Sequence, residues 1–150
     1  MRTRISPFGA IVLALGLGTA TFVAVGLLQP PSVIPADSAW GLIDGTVDGQ
    51  RIVPIEGWPT TLVVDARGLR GNLVCNGYSM SAVVVRGTIR RLDGPAMTLR
   101  RCDVDPNDFE DIYARALMRV DSWTLEGDRL TLRGDGVELR YFGGRGVLFN

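Results

Sequence analysis

From Ser122 to Phe142 the chain reads SWTLEGDRLTLRGDGVELRYF. Trp123 and Leu125, then Leu130 and Leu132, then Val137, Leu139 and Tyr141 fall on alternate positions. The run is broken at Gly127-Asp128 and at Gly134-Asp135-Gly136. Period-two alternation puts one side of each strand in a core and the other in water. Such a meander is not stable alone, because its apolar face needs cover. The rest of the chain must supply that cover.

More strands precede it. WGLIDGTVDGQRIV offers two segments about Asp48-Gly49, a tight-turn pair. TTLVVDARGLRGNLVC repeats the plan, turning at Asp65 to Gly68. SAVVVRGTIRRL, rich in β-branched residues, predicts one strand from about Ala82 to Arg90, and AMTLRRC a short one. A helix follows, with Asp105 as cap, Pro106 in its first turn and Asp108 at the third position. Phe109, Ile112, Tyr113, Ala116, Leu117 and Val120 form one apolar stripe at three-and-four spacing. A stripe of this kind is core rather than a partner-binding face, and the helix is the natural cover for the sheet. Asp108, Glu110 and Asp111 at its start and Arg115 and Arg119 at its end match the helix dipole. The fold class is therefore α+β: a curved antiparallel β-sheet or partly open barrel with one packed α-helix. Residues 39–142 form this domain, and 143–150 a glycine-rich tail that leaves an extra edge strand open.

The N-terminus is of another kind. Arg2 and Arg4 precede Phe8 to Leu28, a run of 21 residues without a charge. As a helix it would span ~30 Å, the thickness of a bilayer core. Arginines before it and none directly after it put the N-terminus in the cytoplasm and the domain outside. Gly18-Thr19-Ala20 also offers a small-x-small cleavage site. An uncleaved anchor over residues 1–28 is the first reading, since the apolar run continues past that site; a removed signal is the second. Residues 29–38 then form a Pro-rich extended spacer. Both readings export the domain: to the periplasmic side of the inner membrane, anchored through residues 8–28, or free in the periplasm.

Composition narrows the chemistry. All 16 basic residues are arginine, balanced by 16 acids, and there is no histidine. Neutral overall charge points away from nucleic acid. Absent histidine removes Ser-His and Cys-His nucleophilic pairs, and absent lysine removes Schiff bases and P-loops. No metal site is expected from two cysteines without histidine, no cofactor is implied, and an enzyme is not expected. Cys75 and Cys102 lie 27 positions apart. In an oxidising compartment they read first as a structural disulfide, for which chain entropy gives about 3–4 kcal/mol. A free buried pair and a redox-active pair are the alternatives; the lack of a CxxC disfavours the last.

The order Trp40, Cys75-Asn76, Thr98, Cys102, then Phe109, Leu117 and Val120, then Trp123, Glu126-Gly127-Asp128, Leu130, Leu132, Leu139 and Phe142 resembles the META domain family, also called HslJ-like, of bacterial envelope proteins. It departs from that pattern where Val74 replaces a glycine and Arg100-Arg101 replace Met-Ala. The resemblance implies a small fold of antiparallel strands with a helix. It also implies an envelope location and links to heat shock, antibiotic tolerance or secretion, without an agreed biochemical activity.

Four groups of residues are candidate sites. Asn76 either binds a ligand or, as is commoner beside a turn, bonds local backbone; Thr98 reads as a strand residue or a local side-chain-to-backbone bond. Arg86, Arg90, Arg91, Arg100 and Arg101 would attract anions if they shared a face, against a solvated face balanced by Asp103, Asp105 and Asp108. Trp58 lies in the loop EGWPTT and is read as plugging one end of the barrel, with exposure for binding as the alternative. Cys75 and Cys102 are the disulfide candidates. Two functions follow. One is a non-enzymatic module that supports envelope integrity or stress tolerance by binding an envelope protein. The other is a carrier of a small anionic amphiphile or lipid in a cleft between sheet and helix.

Overall fold

The computed structural model describes residues 33–35, 38–100 and 107–144. Among these residues ten strands and one helix follow in order: β1 (Ser38–Val47), β2 (Gln50–Ile52), β3 (Thr61–Asp65), β4 (Gly68–Asn72), β5 (Gly77–Val85), β6 (Thr88–Arg91), β7 (Ala96–Met97), α1 (Asn107–Leu117), β8 (Val120–Glu126), β9 (Arg129–Gly134) and β10 (Val137–Gly144). Every pairing between them is antiparallel.

The barrel is closed, not partly open. The strand order β10-β9-β8-β6-β5-β4-β3-β1 returns on itself because β1 also pairs with β10, from Ala39↔Gly144 to Val47↔Val137. β2 hangs on β1 and β7 on β5. Closure removes the open edges of a sheet. It requires β1 to bend between its two partners, and a register shift between Leu42 and Asp44 supplies the bend. Gly45 lets the strands approach there: a Cβ on it would lie 2.7 Å from the Glu138 carbonyl. The thinnest seam joins β6 to β8, which share only the pair Thr88↔Ser122 and a bond from Trp123 N–H to the Gly87 carbonyl of 2.9 Å.

The meander from Ser122 to Phe142 forms as its alternation requires, with Leu130, Leu132, Leu139 and Tyr141 fully buried. Asp48-Gly49 makes the expected tight turn, both residues having positive φ (51° and 80°). The single strand expected over Ala82 to Arg90 is instead a hairpin of β5 and β6. The chain reverses at Arg86-Gly87, again with positive φ at both positions (43° and 81°). An arginine in that turn conformation is uncommon, so the β-branched run hid the reversal.

Register sorts the turns into two ends. The β1–β2, β4–β5 and β9–β10 connections gather at one, and the β3–β4, β5–β6 and β8–β9 turns at the other. α1 lies across the first. Its Tyr113, Ala116 and Leu117, with Val120 opening β8, have no exposed surface, while Phe109 and Ile112 pack against the core. The stripe is thus core. Arg119 fastens this end, donating to both Asp48 carboxylate oxygens (2.8 and 2.6 Å) and to the Asp135 carbonyl (2.7 Å).

The ordered domain reaches further back than Ala39. Ser38 opens β1, and Ile34, inside the stretch read as spacer, is buried in the core cluster. Ser38 Oγ donates to the Pro35 carbonyl (2.7 Å) and accepts from Trp40 Nε1 (2.8 Å), which holds this segment across the end remote from α1. Residues 1–32 and 145–150, with the anchor reading and most of the tail, lie outside the described residues. Among the described residues no helix is long and apolar enough to cross a membrane.

Candidate functional site

The densest polar cluster surrounds Asn76. Between β4 and β5 the chain turns sharply, closed by Leu73 N–H to the Asn76 carbonyl (2.7 Å). Two backbone donors of this turn point at the helix. Glu110, only 5 % exposed, accepts both on Oε1, from Cys75 N–H at 2.7 Å and Asn76 N–H at 3.0 Å. Its Oε2 accepts from Asn76 Nδ2 at 2.6 Å. The other side of the Asn76 amide is equally engaged: Oδ1 accepts from Thr98 Oγ1 (3.0 Å) and from Arg100 N–H (2.8 Å). Thr98 Oγ1 in turn accepts from Gly77 N–H (3.1 Å). A carboxylate that accepts several N–H bonds is a strong, directional clamp. It joins the first turn of α1 to the β4–β5 turn and, through Asn76, to the segment that follows β7. Asn76, half-buried, and Thr98, exposed, therefore spend their polar groups on one another and on local backbone.

Glu110 was not singled out by its sequence position, where it reads as one of the acids at the helix start. A signal was nonetheless there. It stands three residues before Tyr113 and seven before Leu117, on the buried side of the helix.

Below this clamp the three tyrosines of the chain form a relay. Tyr113 Oη lies 3.0 Å from Tyr78 Oη and 2.8 Å from Tyr141 Oη, and Tyr78 Oη donates to the Thr61 carbonyl at 2.9 Å. Burial is the main cause that holds all three phenols well above the ordinary tyrosine pKa. They are neutral at physiological pH, and the inner face between helix and sheet is filled by packed side chains. A cleft of about 490 Å³ lies between α1 and the β1–β2 hairpin, lined by Ile112, Arg115 and Met118 on one side and Val47, Asp48 and Gln50 on the other.

The described arginines Arg86, Arg91 and Arg100 do not form one patch. Arg86 occupies the β5–β6 turn, while Arg91 is opposite Ala82 five residues along β6, ~16 Å away. Arg100 is bonded to Asn76 near the start of β5, a further ~20 Å along that strand. Adjacent Arg90 and Arg91 add no common face. Arg101 and Cys102 lie outside the described residues, as do Asp103 and Asp105. Cys75 is placed at the clamped turn, and no free cysteine occurs among the described residues. Trp58 does not plug the barrel. It is 42 % exposed, in a reversal closed by its own N–H to the Ile55 carbonyl (2.9 Å). Among the described residues no three Cys, Asp or Glu side chains gather to hold a metal.

The remote end is different. A cavity of about 360 Å³ is lined there by Ile34, Val64, Val84 and Trp123, with Arg86 from the β5–β6 turn and Asp65 from the β3–β4 turn. Asp65 is occupied: it accepts from Arg70 Nε (2.8 Å) and Arg67 N–H (2.7 Å), which hold its carboxyl below the usual range. Trp123 is 4 % exposed, and its Nε1–H meets no acceptor.

Comparison with known proteins agrees with this architecture. A solved structure of a protein from Burkholderia xenovorans superposes with a TM-score of 0.60 at 20 % identity, covering 79 % of this chain and 97 % of the other. A second solved structure gives 0.51 at 20 % identity, over 71 % and 88 %. At such identity these likenesses speak for the fold alone. No curated protein matches the chain. The family model of the META domain matches residues 35–145, which include the closed barrel, the Glu110 clamp and the tyrosine relay; this chain belongs to the META domain family.

Proposed function

We propose that this chain is a non-enzymatic binding module of the bacterial envelope, held at the periplasmic face of the inner membrane by Phe8–Leu28. In this reading it supports envelope integrity or stress tolerance by binding an envelope protein. The observation that carries it is the Asn76–Glu110 network. The polar groups of this turn are engaged with one another, so they serve the fold and leave recognition to the outer surface. The missing histidine and lysine support the same conclusion. Exposed Trp58 is the aromatic anchor that interfaces favour. Val33 is five chain steps from Leu28, a reach of at most ~18 Å. An uncleaved anchor would thus keep the end remote from α1 close to the bilayer. A Cys75–Cys102 disulfide would tie the clamped turn to the segment before α1.

A photo-crosslinking residue at position 58, in the full chain expressed in its own envelope, tests the reading. A discrete adduct with one envelope protein is expected. Uncrosslinked monomer alone would overturn it. Intact mass of the same sample should include residues 1–32 and be two hydrogens light; a shortened chain with both thiols alkylatable would remove the anchor and the disulfide.

A further inference from the structure

The cavity at the end remote from α1 combines features the rest of the fold does not use. Its walls are apolar, from Ile34, Val64 and Val84. Its rim carries Arg86, which has no carboxylate partner among the described residues; the acid in the cavity lining, Asp65, is bound to Arg70. One wall is Trp123, whose enclosed Nε1–H lacks an acceptor. The Trp123 backbone N–H bonds the Gly87 carbonyl, and Trp123 and Arg86 line the same cavity. Trp40, the other buried indole at this end, has its acceptor in Ser38 Oγ. At about 360 Å³ the space is at the small end of ligand pockets.

We propose that this cavity binds a single-chain fatty carboxylate. The carboxylate sits at the β5–β6 turn, with the Arg86 guanidinium on it and the Trp123 indole as a wall beside it. The alkyl chain lies along Val84, Val64 and Ile34. A guanidinium suits a two-oxygen anion, and an apolar trough beside it suits an alkyl tail. A peptide would demand more backbone partners than these walls offer. The inference rests on the reading of this chain as a binding module and names a ligand for a surface distinct from Trp58. A missing crosslink at position 58 leaves it intact, and its own failure leaves a crosslinked partner intact.

The test uses the full chain in phosphatidylcholine nanodiscs with ¹⁵N-labelled indoles. The Trp58 resonance is assigned with Trp58→Phe, and the Trp123 resonance with Trp123→Phe, which leaves the Trp40–Ser38 bond in place. Dodecanoate should move the Trp123 indole resonance saturably and leave Trp58 in place. Dodecanol, which enters the disc but has no charge, should bind at least tenfold more weakly. Arg86→Asn, an exchange that tolerates positive φ, should weaken dodecanoate about tenfold. A Trp123 resonance that does not move, or equal affinities for dodecanol or for Arg86→Asn, overturns the proposal. So does a Trp123 shift produced by phosphatidylglycerol discs with no further response to dodecanoate, which would assign the cavity to bilayer lipid.

Discussion

Glu110→Gln removes one of the two acceptor oxygens that hold the Cys75-Asn76 turn. The remaining Oε1 can keep both backbone N–H donors, at 2.7 and 3.0 Å. The new Nε2 would then face Asn76 Nδ2 across a contact that is now 2.6 Å, donor against donor. Asn76 cannot answer by flipping, because Thr98 Oγ1 and Arg100 N–H already hold its Oδ1. One charge-assisted bond is lost and two donors collide at a part-buried contact, which costs about 2–4 kcal/mol. Asn76→Asp should cost a similar amount by setting carboxylate against carboxylate. The double variant restores the match: the amide that Glu110→Gln introduces donates its Nε2–H to a carboxylate oxygen introduced by Asn76→Asp. Urea unfolding of the full chain in one detergent, followed by tryptophan fluorescence and circular dichroism, reads the midpoints. The two changes should be coupled by at least about 2 kcal/mol in the favourable direction. Additive effects, or Glu110→Gln within about 0.5 kcal/mol of the parent, would refute the clamp as the organiser of this turn.

Two further outcomes follow from other buried polar groups. Asp44 accepts two bonds from Arg140 (both 2.7 Å) and one from Arg51 (3.3 Å), and the Arg140 bonds are the main cause that holds its carboxyl below the usual range. Both arginines keep more than half of their side-chain surface in water, so Asp44→Asn should cost only about 1–2 kcal/mol at neutral pH. Because the folded pKa is lowered, that contribution is present above about pH 4 and fades as pH falls through the folded value; unfolding midpoints of parent and variant should converge in acid. The tyrosines have the opposite sign. Their folded pKa values are raised, so the stability tied to the neutral phenols is full below about pH 10 and is lost as pH climbs toward the folded values. Tyrosinate absorbance should appear together with loss of circular dichroism in one cooperative step; a phenol that ionises near its ordinary value in the folded barrel would contradict the relay.

The pieces whose cause is local were readable along the chain. Asp48-Gly49 turns because those two residue types accept positive φ, wherever the strands later go. The alternation of Leu130, Leu132 and Leu139 marks one inward face, and the stripe through Tyr113, Ala116 and Leu117 marks another. The Arg86-Gly87 reversal failed this test because its first residue is not one that announces a turn. Single side chains also lost their meaning out of context: Trp58 looked like a plug, and the arginines like a possible cluster, until the hairpin spread them along its length.

Only the tertiary structure decided the rest, and each case is a pairing between distant positions. β1 meets β10 across nearly a hundred residues, so an open sheet and a closed barrel look alike in sequence. Alternation says which residues face inward and is silent on which strand lies alongside. Glu110 carries the same helix-start signal as Asp108 and Asp111, yet it alone meets the β4–β5 turn, and that depends on how α1 lies across the barrel end. The cavity beside Trp123 arises in the same way, from four separate segments brought to one end. Local propensity is set by each residue and its neighbours; a site is set by the closure of loops, and the chain records that only in space.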